Sequence, residues 1–186
     1  SARDVPSSDN AVSLTLASDG RTDYAIVIAA EAREAEAYAA KELAYFLKKM
    51  TGAEFPVRRD DAPRAERELV VGQTNRMKLS DVPEALRSDN MEGFAIIREG
   101  ESLVFLGNIP RGTLYGVYDL LDVELGVRFL AHQVNYVPHR PTLVVPVISR
   151  SYAPPFEKRT IWEGYLMGDA TLRNRMNGVS FGILDE

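Results

Sequence analysis

The sequence predicts an α/β domain, and three observations lead to this fold class. Short strand-like apolar segments alternate with two amphipathic helix patterns along the chain. The composition is that of a globular protein, with 45% hydrophobic and 26% charged residues among 186. Because 27 Asp and Glu residues outnumber 22 Lys and Arg residues, the net charge is −5. This charge argues against nucleic acid or an anionic membrane as the main partner.

The first half of the chain predicts strands around one long helix. Residues 12–17 alternate as a half-buried strand does, and the apolar run 24–29 fits a strand covered on both faces. Residues 31–50 predict a helix, and Gly52 follows it as a left-handed cap. Charged residues of this helix, Glu42 among them, are expected to lie largely outside its buried stripe. That stripe consists of Ala35, Ala39, Leu43, Phe46, Leu47 and Met50.

Further strands and a hairpin follow this helix. Residues 55–59 and 68–72 predict two short strands. Residues 93–98 and 102–107 predict the two arms of a β-hairpin, with Gly100 in the turn. Residues between the second strand and the hairpin are polar and show no firm periodicity, so we expect a connection there.

A second helix is predicted over residues 111–125, and Gly126 closes it. Residues 127–130 return to an extended run. Residues 141–149 predict a last strand or a linker, because Pro146 is tolerated only at a sheet edge. The buried stripe of the second helix consists of Leu114, Val117, Tyr118, Leu121 and Leu125.

The glycine-rich segment 107–116 runs from a predicted strand into this helix. An exposed helix N-terminus can bind an anion through its free backbone amides. The segment matches neither the P-loop nor the dinucleotide-binding fingerprint, however. We therefore favour a tight strand-to-helix connection, in which Gly112 and Gly116 allow close packing.

The chain offers no convincing catalytic or metal-binding motif. Without cysteine, disulfide scaffolds, thiolate zinc sites and cysteine nucleophiles are excluded. His132 and His139 have no carboxylate at zinc-site spacing, and neither HExxH nor GxSxG occurs. No apolar run approaches the roughly 20 residues of a membrane span. We predict no metal, no cofactor, no membrane span and no catalytic residue within this chain.

Acidic side chains occur close together at several places, yet they predict solvated charge rather than catalysis. A glycosidase needs two carboxyl groups facing each other across a cleft, one of them with a raised pKa. Neighbouring acids on a helix or loop are far more often solubilising. The groups concerned are Asp60 with Asp61, Asp119 with Asp122 and Glu124, and Asp185 with Glu186.

The character of the chain changes at residue 151, where the proline-containing segment 151–156 predicts a boundary. Residues 158–166 then indicate a strand and residues 169–178 the start of a helix. These pieces cannot bury their own faces. Either the chain ends just inside a second domain, or this tail packs back on the first. Aromatic residues cluster here, which suits sugar stacking but favours packing at a domain junction.

Three sequence segments resemble parts of the small α/β domain that precedes the catalytic barrel in certain glycoside hydrolases. They are YAAKELAYFLKKMTGAEFPV, ELVVGQTNR and EGFAIIREGESLVFLGNIPRGTLYGVYDLLDVELGVRFLA. The same layout occurs as the second domain of family 20 β-N-acetylhexosaminidases and at the N-terminus of family 67 α-glucuronidases. It occurs also in a group of uncharacterised exported bacterial proteins. The resemblance covers about residues 24–178, and residues 107–130 are its most specific part.

This resemblance implies a mixed β-sheet with two main helices on one face, a zincin-like layout without the zincin catalytic centre. The start of a (β/α)8 barrel would follow. It divides the chain into a lead-in with the first strand (1–23), an α/β accessory domain (24–150), and a linker with the cut beginning of the barrel (151–186). The catalytic acids of the family would lie beyond residue 186, and the parent protein would be exported to the periplasm or the extracellular space.

Some site residues follow from the resemblance as well. In family 20 enzymes an arginine on the first barrel strand contacts sugar hydroxyls, and Arg159 occupies a comparable place. Thr160 stands where a glycine usually follows, and Glu163 is the nearest candidate for the expected acid. The predicted substrate-binding residues are Arg159, Trp162 and Glu163, and the predicted domain-interface residues are Phe156 and Tyr165.

The resemblance therefore implies a non-catalytic accessory domain of a glycoside hydrolase that acts on polysaccharide or glycoconjugate. Its partners would be the downstream catalytic barrel of the same polypeptide and the carbohydrate substrate of the parent protein. The alternative is an autonomous carbohydrate-binding or protein-interaction module. The tail discriminates between them, because a self-sufficient module should fold without residues 151–186.

Overall fold

The computed structural model describes residues 13–146, 149–156, 159 and 169–177. Its strands are β1 (Leu14–Ala17), β2 (Ala25–Ile28), β3 (Val57–Arg59), β4 (Glu68–Val71), β5 (Phe94–Glu99), β6 (Ser102–Gly107), β7 (Arg128–Ala131), β8 (Val134–Tyr136), β9 (Leu143–Val145) and β10 (Arg150–Tyr152). Its helices are α1 (Glu34–Thr51), α2 (Pro110–Asp119) and α3 (Asp169–Arg173). Two single 3₁₀ turns, Leu79–Asp81 and Glu84–Leu86, lie between β4 and β5.

A six-stranded mixed sheet organises these elements, in the order β10-β5-β6-β4-β2-β3. Strands β3, β2, β4 and β6 are parallel, whereas β5 runs antiparallel to both β6 and β10. The predicted hairpin is confirmed, because Phe94 pairs with Gly107 and Glu99 with Ser102, and Gly100 occupies the turn with φ 60°. Two further two-stranded pairs, β1 with β9 and β7 with β8, complete the strands.

The two faces of the sheet are covered differently. Alternate residues such as Ile26, Leu69 and Phe105 pack with the buried sides of α1 and α2 in the main hydrophobic core. Their neighbours, among them Val70 and Val104, point to the opposite face and pack with Val82 and the 3₁₀ turns. The mixed sheet with two main helices on one face, which the resemblance implies, is therefore confirmed.

Helix α1 follows its predicted periodicity closely. All six residues of its predicted stripe are buried. It begins at Glu34, where the Glu36 carboxylate accepts the backbone N–H of Arg33 at 3.1 Å. It ends at Gly52, whose φ of 79° is left-handed as predicted. The expectation for Glu42 was wrong, because this side chain is only 7% exposed. An arginine far along the chain binds it there.

The second predicted helix consists of two parts. Helix α2 continues directly into a π-helical segment, Leu120–Glu124, in which the N–H of Leu125 donates to the carbonyl of Leu120 at 3.0 Å. Gly126, with φ 74°, closes the segment as predicted. The predicted stripe of this helix is buried throughout. Sequence periodicity indicates one helix here, because the widened turn leaves the apolar pattern nearly unchanged.

Strand β10, which periodicity did not indicate, lies near the end of the chain, whereas β9 falls within the predicted segment 141–149. Strand β10 adds to the main sheet beside β5, and its Tyr152 ring lies 5.5 Å from the ring of Phe94. The pairing of β1 with β9 joins two segments more than 120 residues apart.

The division of the chain at residues 24 and 151 stays a prediction. Much of the predicted barrel start, residues 160–168 and 178–186, lies outside the described residues.

The junction between β6 and α2 explains the glycine-rich segment. A Cβ on Gly107 would lie 2.1 Å from the backbone nitrogen of Thr113 and 2.4 Å from the carbonyl carbon of Gly112. The Thr113 hydroxyl in turn accepts the N–H of Gly107 at 2.9 Å. The predicted tight connection is therefore present, and it depends on close backbone approach.

We expect Gly107→Ala to lower the free energy of unfolding by about 3 kcal/mol or more, because its Cβ meets backbone atoms that cannot move aside. Urea denaturation measures this loss. Gly52→Ala is the matched control: Gly52 has a left-handed φ of 79° but no atom within 4 Å of its added Cβ. That variant should lose only about 1 kcal/mol. Equal losses would contradict the packing explanation.

Candidate functional site

Acidic side chains on the helix-covered side bind arginines from the end of the chain. We call these carboxylates the acidic surface, which consists of Glu42, Glu92, Asp119 and Asp122. We call residues 159 and 169–177 the arginine segment. Its arginines, Arg159, Arg173 and Arg175, all pair with the acidic surface.

Glu42 and Arg173 form the most deeply buried contact. The Arg173 guanidinium donates through Nε to Oε2 of Glu42 at 2.8 Å and through Nη2 to Oε1 at 3.0 Å. Both side chains are less than 10% exposed. The Tyr118 hydroxyl also donates to Oε2, at 3.0 Å, and the guanidinium lies 5.3 Å from the centroid of the Phe46 ring. Two parallel hydrogen bonds fix orientation as well as distance.

Burial, with the Glu42 carboxylate nearby, raises the pKa of Tyr118 well above its usual value of 10.0. The phenol therefore stays protonated and acts as a hydrogen-bond donor to Glu42. Its proton supplies a third hydrogen bond to a carboxylate that water reaches poorly. The pair thus satisfies the condition under which a buried charge is tolerated, namely an opposite charge and further hydrogen bonds.

Glu92, in the loop before β5, receives three donors. Arg159 donates from Nη2 to Oε2 at 2.5 Å, Asn177 donates from Nδ2 to Oε2 at 2.9 Å, and Arg111 donates from Nη1 to Oε1 at 3.3 Å. The Asn177 amide oxygen accepts the backbone N–H of Arg159 at 2.6 Å, and the Asn177 N–H donates to the Arg159 carbonyl at 3.0 Å. Glu92 therefore holds both parts of the arginine segment at one point.

Asp119 lies between two arginines. Arg175 donates to Oδ1 at 3.2 Å, and Arg150 donates to Oδ2 at 2.5 Å. Arg175 also pairs with Asp122 at 3.5 Å, and Arg150 with Glu124. Burial lowers the pKa of Arg150, but Asp119 and Glu124 outweigh this effect and hold it above its usual value. The sequence indicated solvated charge for these acids, and this expectation was wrong because distant arginines bind them.

Tyr115 lies beneath the arginine segment. Its hydroxyl donates to the carbonyl of Met176 at 3.3 Å, and the Arg159 guanidinium lies 5.7 Å from the centroid of its ring. Burial, with the charge of Glu92, raises the pKa of Tyr115 to about 12, although Arg111 and Arg159 act in the opposite direction. Tyr115 therefore contributes a neutral hydroxyl and a ring face to the contact.

The backbone of the arginine segment takes a costly conformation to make these contacts. Arg175 has φ 58°, in the left-handed region that residues other than glycine rarely adopt. Its carbonyl accepts Nε of Arg159 at 2.8 Å, and its guanidinium reaches Asp119. Asn174 donates from Nδ2 to the carbonyl of Phe129 at 3.0 Å. These contacts offset the cost of the turn and end α3 at Arg173.

The structure describes two of the five predicted site residues. The Arg159 guanidinium donates to Glu92, to the Arg175 carbonyl and to the Phe156 carbonyl. The Phe156 side chain is 70% exposed. The predicted roles of Arg159 in substrate binding and of Phe156 at an interface stay predictions. The other three predicted residues, Trp162, Glu163 and Tyr165, lie outside the described residues.

Sequence reasoning did not identify the carboxylates that receive the arginines. Glu42 and Arg173 are 131 positions apart, so no local pattern connects them. The motif Arg-Asn-Arg-x-Asn at residues 173–177 is the sequence feature that could have indicated such contacts. Two arginine and two asparagine side chains in five residues indicate acceptors elsewhere in the chain, but not which ones.

Metal-binding and membrane-spanning features are absent from the described part of the chain. Within residues 13–146, 149–156, 159 and 169–177, no group of three or more His, Asp or Glu side chains could hold a metal ion. None of the helices in these ranges is long and apolar enough to cross a membrane.

The fold is similar to that of α/β domains found within larger glycoside hydrolases. A β-hexosaminidase of Streptomyces plicatus has a TM-score of 0.51 and 13% identity, with 81% of this chain and 25% of that chain covered. A family 20 β-N-acetylhexosaminidase of Streptomyces coelicolor has a TM-score of 0.50 and 15% identity, with 83% and 26% covered. At these identities the likeness concerns the fold. This chain spans about a quarter of the length of these enzymes.

The family is shown by the sequence. The family model described as the glycosyl hydrolase family 67 N-terminus matches residues 16–120, more than half of the chain. The chain therefore belongs to this family of glycoside hydrolase N-terminal domains. Among curated proteins, none matches the chain.

We expect Glu42→Gln to lower the free energy of unfolding by about 3 kcal/mol, because it leaves the Arg173 charge buried without its counterion. Glu34→Gln is the matched control, since Glu34 is an exposed acid on the same helix. It should change stability by no more than about 0.5 kcal/mol. Urea denaturation measures the free energy of unfolding of both variants. If Glu42→Gln lowered it as little as Glu34→Gln does, the buried pair would contribute little to stability.

We also expect stability to fall at alkaline pH through Tyr115. The folded-state pKa of about 12 lies above the ordinary value of 10.0, so the neutral phenol is favoured by folding. This contribution is complete below pH 10 and is lost as the pH rises through 12. It amounts to at most about 2–3 kcal/mol. Unfolding free energies measured across this range should decline less steeply in Tyr115→Phe. The exposed control Tyr136→Phe should follow the wild type, and an identical decline in all three proteins would refute the assignment.

Proposed function

We propose that this domain is a non-catalytic accessory domain of a glycoside hydrolase, and that its own task is to hold the start of the catalytic barrel. One observation carries the proposal: the acidic surface binds all three arginines of the arginine segment. By the family resemblance, Arg159 belongs to the first strand of the barrel and residues 169–177 belong to the helix after it. The domain would thereby set where the barrel begins relative to the two-helix layer.

Arginine–carboxylate pairs suit this task because they specify geometry. A buried ion pair is weak evidence for stability, since desolvation of the two charges opposes their attraction. A bidentate pair, however, is satisfied in one position and leaves unpaired charges in others. Contacts at Glu42, Glu92 and Asp119 give three separate anchor points on α1, on the loop before β5 and on α2. The Glu42–Arg173 pair is bidentate and the Glu92–Arg159 and Asp119–Arg175 contacts are single hydrogen bonds. Together the three points define both the position and the orientation of the docked segment.

The pairing of these carboxylates with arginines supports a structural role for them. A glycosidase acid and its partner carboxylate must face a bound sugar. Each carboxylate of the acidic surface instead pairs with at least one arginine. The hydrolytic activity of the parent protein, its carbohydrate substrate and its export are parts of the same proposal. They rest on the family and on the resemblance to family 20 and family 67 enzymes.

The tail bears on the alternative of an autonomous module. Strand β10 pairs with β5 in the main sheet, and Leu172 of α3 is a member of the main hydrophobic core. Residues after 149 thus contribute to folding. This observation favours an accessory domain that is integrated with the next part of the polypeptide over a module that folds without residues 151–186.

Hydrogen exchange tests the holding function directly. The backbone N–H groups of residues 174–177 all donate hydrogen bonds, that of Asn177 to Arg159. We expect Glu92→Gln to reduce protection of these amides at least about tenfold, because one of the three anchors loses its charge. Protection in β4 and β6 should persist. The exposed loop variant Glu84→Gln should match the wild type throughout. Unchanged protection at 174–177 in Glu92→Gln would contradict the proposal.

Activity measurements test the non-catalytic part separately. We expect the purified 186-residue chain to release no p-nitrophenol from p-nitrophenyl glycosides above the rate in buffer. Turnover that disappears when a carboxylate of the acidic surface is replaced would show that this domain has its own active site.

A further inference from the structure

We propose that Asn177 is a site of spontaneous modification, at which conversion of the side-chain amide to a carboxylate frees the end of the arginine segment from Glu92. The release rests on the holding function, whereas the reaction itself requires only the chemistry at Asn177. Asn177 is the last residue of the arginine segment and is half-buried, so solvent water reaches it. Water is the only reactant besides the chain.

Asn177 is the only asparagine of the chain that a glycine follows. The other six asparagines precede larger residues, as Asn174 precedes an arginine. Asparagine is thermolabile, because the backbone nitrogen of the next residue can attack its side-chain carbonyl carbon. Glycine has no Cβ, so it hinders this attack least and allows the backbone the widest range of conformations. The sequence therefore places its most reactive asparagine at the end of the arginine segment.

The reaction replaces the amide nitrogen by an oxygen of water. The backbone nitrogen of Gly178 forms a bond to Cγ of Asn177, and the bond from Cγ to Nδ2 breaks. The proton of the Gly178 N–H passes through solvent to the departing nitrogen, so ammonia leaves and a cyclic imide remains. Water then adds to either imide carbonyl carbon and opens the ring. The product is an aspartate, or an isoaspartate whose main chain runs through Cγ, and nothing is oxidised or reduced.

Three hydrogen bonds hold Asn177 in its unreacted state. Its Nδ2 donates to Oε2 of Glu92 at 2.9 Å, and its Oδ1 accepts the backbone N–H of Arg159 at 2.6 Å. Its backbone N–H donates to the Arg159 carbonyl at 3.0 Å. Because both ends of the side-chain amide are bound, Cγ can turn towards the next nitrogen only after these bonds open. The rate of modification thus reports how often this end of the segment opens.

The carboxylate that the reaction forms does not fit this contact. A carboxylate only accepts hydrogen bonds, so the donor to Glu92 is lost, and an oxygen takes a place 2.9 Å from Oε2 of Glu92. Two carboxylates at this distance repel each other. Arg111 and Arg159 also donate to Glu92, so it cannot turn away freely. Modification therefore frees the end of the segment from Glu92 and leaves the anchors at Glu42 and Asp119 in place.

The first test measures the reaction. Peptide mapping by mass spectrometry follows conversion of Asn177 during incubation in mildly alkaline buffer, with Asn174 as the internal reference. In the urea-unfolded chain we expect conversion at Asn177 to be faster than at Asn174. In the folded wild type, conversion at Asn177 should be at least about tenfold slower than in the unfolded chain. Gly178→Ala should slow the reaction in the unfolded chain, because the added Cβ hinders the attack.

Variants of Glu92 show whether its contact protects Asn177. Glu92→Ala removes the acceptor of Nδ2, and we expect it to convert at least about tenfold faster than the folded wild type. Glu92→Gln keeps an acceptor and loses only the charge, so its rate should lie between these two. The exposed control Glu84→Gln should convert at the wild-type rate. Amide NMR spectra show whether each variant is folded, and Glu92→Gln carries the test if Glu92→Ala is not.

The second test measures the release. Asn177→Asp carries the product side chain, and we expect it to reduce the hydrogen-exchange protection of residues 174–177 at least about tenfold. Gln133→Glu is the matched control, because it makes the same change from amide to carboxylate at an exposed residue between β7 and β8. That variant should keep wild-type protection at residues 174–177.

Three results would overturn the inference. They are no preference for Asn177 in the unfolded chain, equal conversion in the folded wild type and the folded Glu92 variants, and full protection of residues 174–177 in Asn177→Asp. The last result can occur while Glu92→Gln still loses protection at these residues. Failure of the modification site and failure of the holding function are therefore distinguishable.

Discussion

The buried ion pair between Glu42 and Arg173 is the contact on which the arrangement around the two helices depends. It joins α1 to α3 across 131 positions of sequence, in surroundings where both side chains are less than 10% exposed. Each charge is tolerated there only because the other is present. The pair thus connects the α/β layer with the arginine segment and explains why an acid lies on the buried side of α1.

The remaining contacts of the acidic surface extend this coupling along the helix layer. Glu92 and Asp119 each bind a further arginine of the segment, and the left-handed turn at Arg175 directs that side chain towards Asp119. The charged contacts and the hydrophobic core beneath them have different roles. Apolar burial drives folding of the sheet and its helices, whereas the charged contacts specify which segment lies on top of them.

Features that arise from local pattern could be predicted from the sequence. The stripe of α1, the β5–β6 hairpin and the cap at Gly52 all follow from spacing of apolar residues and glycines. The resemblance added the mixed sheet with two helices on one face. The burial of Glu42 and the pairing of β10 with β5 could not be predicted. Each depends on a partner distant in sequence, which one sequence without long-range information does not identify.

A double-mutant cycle between Glu42 and Arg173 tests the central claim most directly. Urea unfolding of Glu42→Met, Arg173→Met and the double variant gives the coupling free energy. We predict that each single variant loses about 3–5 kcal/mol, because one buried charge remains unpaired, and that the double variant recovers most of this loss. Losses that simply add in the double variant would show that the two charges do not depend on each other, and would contradict the holding of the arginine segment by the acidic surface.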